Sequence, residues 1–168
     1  MKKSLPWFLT LPMQESIPGV VKLSNKGRYG VRALFDIAFH NDGGPTQIRE
    51  IAERQDIPAR FLEQIFQDLK KAGILGSKRG PRGGYHLARE ASEIKIGDVL
   101  RALEGPIIAL VPDEDRPGKQ PDATASVFRD LAASIERCFD DVTLSDVVTR
   151  GEKLGMRRRG KERSTYVI

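Results

Sequence analysis

The stretch that most constrains this chain is residues 58–87, PARFLEQIFQDLKKAGILGSKRGPRGGYHL. In its first half Phe61, Leu62, Ile65, Phe66 and Leu69 recur at spacings of three and four, which gathers them on one helical face. Arg60, Gln64, Gln67 and Lys71 follow the same spacing on the other side, as long side chains that can donate hydrogen bonds. Pro58 suits the first helical position, where its missing N–H costs nothing, and Gly73 stands where a helix ends on a left-handed residue. In the second half Ile74-Leu75 and Tyr85-His86-Leu87 flank a glycine-rich tip carrying Lys78, Arg79 and Arg82 and no acid. The flanks read as short strands and the middle as turns.

A helix with a polar stripe, followed at once by a basic hairpin, is the layout of a winged helix. The helix can enter a major groove, and the hairpin can lie on phosphates or reach into a minor groove. Arginine suits such a tip because its planar fork reads base edges and phosphates with two hydrogen bonds. The glycines do not read as a nucleotide cradle, since no Gly-Lys-Ser/Thr triplet follows them and no helix opens from them. The polar stripe alone would be an ordinary solvated face. The hairpin beside it is what turns the reading toward DNA.

The segments before this stretch agree. Ser24 is a good N-cap for a helix over residues 25–41 with Val31, Leu34, Ile37 and Ala38 inward, and Lys26, Arg28 and Arg32 add positive charge near its start. Thr46 is expected to cap a short helix ending near Gln55, with Ile48, Ile51 and Ala52 inward. Helix, turn, helix is the DNA-binding supersecondary unit. After the hairpin a helix is predicted from Ile96 to Glu104, ended by Gly105-Pro106.

The longest helix is predicted from Ala125 to Asp141, with Val127, Phe128, Leu131, Ile135, Cys138, Phe139 and Val142 along one side. At ~1.5 Å per residue it spans roughly 25 Å. An apolar stripe of that length needs a surface, and the same helix of a second subunit is the economical one. Thr143 caps a last helix, Leu144 to Arg150. The expected organisation is an N-terminal extension (1–20), mobile or loosely packed, a DNA-binding domain (21–106), a loop (107–124), dimerisation helices (125–150) and a basic, disordered tail (151–168). The fold class is mainly α with a small β wing.

Composition enters as a constraint on partners. The chain has 168 residues, a net charge of +5 and a pI near 9.5, which favours an anionic partner. Its one cysteine, Cys138, excludes a disulfide framework and a multi-cysteine zinc site and suits a reducing cytoplasm. No apolar run reaches the ~18 residues of a membrane span. His40 and His86 are the only histidines and pair with no nucleophile in the pattern, so no catalytic residue, metal ligand or cofactor is predicted. Asp113, Glu114 and Asp115 read as solvated acids of a loop.

Several motifs then resemble, in order, those of the Rrf2 family of bacterial transcription regulators. They are Lys22-Leu23-Ser24-x-Lys26-Gly27-Arg28-Tyr29-x-x-Arg32-Ala33-Leu34, Ile51-Ala52-Glu53-Arg54, Leu62-Glu63-Gln64-Ile65, Leu69-x-x-Ala72-Gly73, Arg79-Gly80-Pro81-x-Gly83-Gly84-Tyr85 and Leu103-Glu104-Gly105-Pro106. The resemblance implies a winged-helix homodimer binding pseudo-palindromic double-stranded DNA, usually as a repressor. It places Arg60, Phe61, Glu63 and Gln64 at the start of the recognition helix, Arg79 in the minor groove, and Lys26, Arg28 and Tyr29 near the DNA backbone.

The chain departs from the family in three places. Arg82 stands where glycine is commoner, and the first twenty residues exceed the usual start. Many members also carry three cysteines before the long helix to hold an iron–sulfur cluster, whereas Val111 to Thr124 has none. The type without that trio is similar to the cysteine-metabolism regulators, which implies sensing through a partner enzyme or a small-molecule effector. The alternative is a protein-interaction module that keeps the fold and has lost operator binding; the added wing charge argues against it.

Overall fold

The computed structural model describes residues 23–40, 44–107 and 123–158. The expectations for residues 1–20, for most of the 107–124 loop and for the end of the tail fall outside them. Among the described residues six helices and one hairpin follow in the order α1 (Asn25–His40), α2 (Ile48–Gln55), α3 (Ala59–Lys71), β1 (Leu75–Lys78), β2 (Gly84–Leu87), α4 (Ile96–Glu104), α5 (Ala123–Asp140) and α6 (Leu144–Lys153).

The core lies among α1, α2, α3, α4 and α6. It is built from Leu34, Ile37 and Phe39 of α1, Ile51 of α2, Leu62, Ile65, Phe66 and Leu69 of α3, Val99 and Leu103 of α4, and Leu144 of α6. Of the apolar face read from the spacing of α3, Leu62, Ile65, Phe66 and Leu69 are buried, whereas Phe61, at the start of the helix, is left 40% exposed. α1 and α4 approach closely because α1 carries glycine at the crossing. A Cβ on Gly30 would sit 2.2 Å from Leu103 Cδ1, and one on Gly27 would sit 2.0 Å from Glu104 Oε1. Across that crossing the Ser24 hydroxyl donates to Glu104 at 2.9 Å, while its oxygen accepts the amides of Lys26 and Gly27 as the expected N-cap.

The start of α2 differs from expectation. Thr46 does not cap the helix; Gln47 stands at the cap position without a side-chain bond. Thr46 instead exchanges both backbone hydrogen bonds with Tyr85 at 2.8 Å, adding a third extended segment beside β2. Pairing across nearly forty positions along the chain outweighs a local cap, and it leaves Thr46 buried. The strands of the hairpin run further than predicted, in the register Leu75↔Leu87 to Lys78↔Gly84, so the free tip shrinks to residues 79–83.

α4 has the predicted bounds. α6 opens on Thr143 with a reciprocal capping box, the hydroxyl oxygen accepting from Asp146 N–H and the Asp146 carboxylate from Thr143 N–H. The Thr143 hydroxyl, which donates to the Asp146 carboxylate at 2.7 Å, and then the Thr143 N–H hold that carboxyl below the usual aspartate range. α6 continues to Lys153, past the expected Arg150, because Gly151 packs under the rings of Phe35 and Phe39.

α5 is the element the rest of the chain covers least. Only Ala125 and Ala132 are buried, two turns apart on one side. Val127, Phe128 and Leu131 are 56%, 48% and 49% exposed, and Ile135 and Phe139 are half-buried. Cys138 is exposed in the single chain. The stripe of α5 faces outward, so its cysteine faces outward with it. The C-terminal end of α5 is firmly tied: Arg101 donates to Asp140 at 2.6 Å and to Asp98 at 2.9 Å, and Ile96 N–H donates to the Val142 carbonyl at 2.8 Å.

Candidate nucleic-acid interface

α3 presents the candidate reading surface. Its first turn leaves Arg60, Phe61, Glu63 and Gln64 exposed while Leu62 and Ile65 are buried. Those four were expected together and lie together. Phe61 is 40% exposed, whereas Phe35, Phe39 and Phe66 are buried. Tyr29, on α1, meets the Phe61 ring edge to face at 5.6 Å and 88°. The Arg32 guanidinium stands 5.8 Å from the centroid of the Tyr29 ring.

α3 itself is fixed to α1 and to the hairpin. Lys26 pairs with Asp68 of α3 at 2.8 Å. Its ammonium holds the Asp68 carboxyl below the ordinary aspartate value, with Lys71 adding a smaller pull. Lys70 donates to the Ser77 hydroxyl of β1 at 2.8 Å, and Phe66 meets Tyr85 of β2 at 4.8 Å between centroids. Gly73 turns the chain from α3 to β1 at φ +69°. Gly84 lies at φ +152°, with the Thr46 carbonyl oxygen 2.4 Å from where a Cβ would be. The third segment can reach β2 only because that residue has no side chain.

Lys78 ends β1, and Arg79 and Arg82 stand exposed on the tip. Between the hairpin and the start of α2 runs an open cleft of about 540 Å³, lined by Gln47, Ile48, Lys78, Arg79 and Tyr85 among others. Arg28 is exposed on α1 near Tyr29. The ten side chains expected at DNA are thus distributed over α1, α3 and the hairpin, and Lys26 is the one of them engaged in an ion pair with α3.

The sequence reading missed the clamp that sets α2 against α1. Asp36 is fully buried in the middle of the apolar run of α1. Its carboxylate accepts from Arg54 Nη2 at 2.7 Å, Arg54 Nε at 2.9 Å and the Gln55 amide at 3.0 Å. Arg32 donates to the Gln55 carbonyl, so the end of α2 is held from two sides. Burial works against the Arg54 charge, and the bonds and charges of Asp36 and Glu50 outweigh it, raising its pKa above the ordinary arginine value. A lone acid among Ala33, Leu34, Phe35 and Ile37 was the available signal, because buried charges are retained only when paired.

Comparison with known proteins agrees with this geometry. Residues 23–150 match the family described as "Rrf2: Iron-dependent Transcriptional regulator". The chain is 39% identical over 136 residues to the HTH-type transcriptional regulator IscR of Vibrio atlanticus, covering 80% of this chain and 79% of that one. Among solved structures, T. potens IscR superposes with a TM-score of 0.66 at 41% identity, over 82% of this chain and 93% of that one. CymR, the global cysteine regulator of B. subtilis, superposes with a TM-score of 0.64 at 33% identity, over 77% and 97%.

An iron–sulfur cluster does not fit the donors present. Such clusters are held mainly by cysteine thiolates. The sequence has one cysteine, on the exposed side of α5. Among the described residues no group of three or more His, Cys, Asp or Glu side chains could hold a metal ion, and no helix is long and apolar enough to cross a membrane.

Proposed function

Because the chain belongs to the Rrf2 family and is a DNA-binding transcriptional regulator of winged-helix fold, we propose that it acts as a homodimeric repressor on a pseudo-palindromic operator. The observation that carries the reading is the exposed row Arg60, Phe61, Glu63 and Gln64 beside a hairpin tip bearing Arg79 and Arg82. In this reading the first turn of α3 enters the major groove. The tip reaches the neighbouring minor groove with Arg79, and Lys78, Arg82 and Arg28 meet phosphates. Glu63 accepts from a cytosine amino group, a pairing its carboxylate can make.

Two chains join through the exposed face of α5, with Val127, Phe128, Leu131, Ile135 and Phe139 at the seam and Cys138 beside it. Pairing places two copies of α3 about one helical turn of DNA apart, ~34–36 Å, which is why the operator is two-fold symmetric. The protein works in the bacterial cytoplasm and makes no use of an iron–sulfur cluster. Its signal arrives through a partner enzyme, a small molecule or oxidation of Cys138.

The test is selection of bound duplexes from a random library, followed by binding measurements across salt concentration. The expected result is one symmetric motif, bound with an affinity that falls steeply with salt as phosphate contacts release counterions. Recovery of no shared motif would favour an interaction module of the same fold.

A further inference from the structure

Phe61 is out of place as a merely structural residue. The chain buries the other phenylalanines of its winged domain, Phe35, Phe39 and Phe66, yet holds this one 40% exposed among Arg60, Glu63 and Gln64. The ring is not loose. Tyr29 braces its position at 5.6 Å and 88°, Tyr29 packs against the core, and Arg32 stands over the Tyr29 ring while binding the end of α2. A braced ring presents apolar surface at a fixed place on the helix with little entropy left to lose on binding.

Phosphates and the polar atoms of base edges gain nothing from such a ring, because their own hydration would be lost without a hydrogen bond in return. The major groove contains one apolar group, the C5-methyl of thymine. We propose, on the reading that α3 enters the major groove, that Phe61 recognises a thymine methyl and so fixes one A·T pair in each half-site. Arg60 and Gln64, on the same exposed face of the same helix, read hydrogen-bonding edges of neighbouring bases. Phe61 supplies the discrimination those polar side chains cannot, between thymine and a base lacking the methyl.

The experiment uses the full chain and a duplex selected by it from a random library. Each thymine is replaced in turn by deoxyuridine, which keeps every hydrogen-bonding group and lacks only the methyl. Burying one methyl corresponds to about a fourfold change in affinity. The expected result is a loss of about that size at one thymine per half-site and none elsewhere. Phe61→Ala should bind the thymine and uracil duplexes equally at that position, and Tyr29→Leu, which removes the brace, should shrink the difference while the same motif is still selected. A wild-type profile flat across all replacements overturns the proposal, as does a uracil penalty undiminished in both variants. Selection of no motif at all would overturn the DNA-reading of α3 and this proposal together.

Discussion

α3 and α5 have similar sequences in one respect, an apolar residue every three or four positions, and opposite fates. In α3 the stripe is covered by α1, α2 and α4, and the polar side is left to solvent. In α5 the same kind of stripe stands open, and the side that faces the protein is small, Ala125 and Ala132. Periodicity tells that a face is apolar; it does not tell what covers it. Each large apolar side chain, fully buried, contributes ~1.5–3 kcal/mol, so α3 draws its stability from its own chain while α5 leaves much of that unrealised in the single chain.

The comparison breaks most sharply at Leu131. Leu131→Asp puts a charge on a face that is open in the single chain, so helix content should not change. In the proposed dimer the same charge would be buried without a partner. Sedimentation should report a monomer, and operator affinity should fall on the order of 10²–10⁴-fold, the gain normally conferred by linking two half-sites. A variant that remains dimeric would mean that α5 is covered by something else.

The converse experiment loosens the packing of α1 against α2 without touching the exposed side of α3. Arg54→Met strands the buried carboxylate of Asp36, and breaking one side of such a pair costs ~3–5 kcal/mol. Thermal melts should show that loss. Replacing both partners, Asp36→Leu with Arg54→Met, should recover a large part of it. If the single change is mild, the clamp between α1 and α2 is not held by charge.

These two sites also mark where the sequence was readable. α3, α4, the hairpin and the Thr143 cap follow from spacing and end signals that act within a few residues; α4 and the cap lie where those signals put them, Pro58 is the N-cap of α3 rather than its first helical residue, and the hairpin strands run further than their apolar flanks. What escaped depends on pairing between distant positions. Thr46 read locally is a cap, and only Tyr85 makes it an edge of the sheet. Asp36 read locally interrupts an apolar face, and only Arg54 makes it a clamp. That Cys138 and its stripe lie open in the single chain could not follow from periodicity, which treats burial by the same chain and burial by a second copy alike.

A smaller effect is expected at the hairpin tip. Arg79→Ala removes a guanidinium held on a short tip and should cost ~1–3 kcal/mol of operator binding. Removing residues 159–168, which carry Arg159, Lys161 and Arg163, should instead weaken operator and random DNA about equally, because phosphate contacts carry no sequence information. Titrations of both variants against both DNAs at one salt concentration separate the two kinds of charge. Equal losses on the two DNAs for Arg79→Ala would reduce the hairpin to a second tail.

The smallest effect sharpens the contrast from the α1 side. Lys26 was expected near the DNA backbone, yet its ammonium is paired with Asp68, which lies on α3 itself. Lys26 is the largest cause of the lowered Asp68 pKa, ahead of burial, which acts the other way. A depressed folded-state pKa contributes stability that is fully present above the unfolded aspartate value, about 4. That contribution disappears as pH falls through the lower folded value. Lys26→Met should therefore make the acid limb of a stability–pH curve shallower below about pH 4. Near neutrality the pair is partly solvated and worth only ~0.2–1 kcal/mol. The same variant divides the two roles of the residue. If Lys26 serves only to seat α3, the salt dependence of operator binding should be unchanged. If it also meets a phosphate in the complex, the slope of log affinity against log salt should fall by about one. An acid limb identical to wild type would show that Lys71, 3.7 Å from the same carboxylate, can hold Asp68 alone.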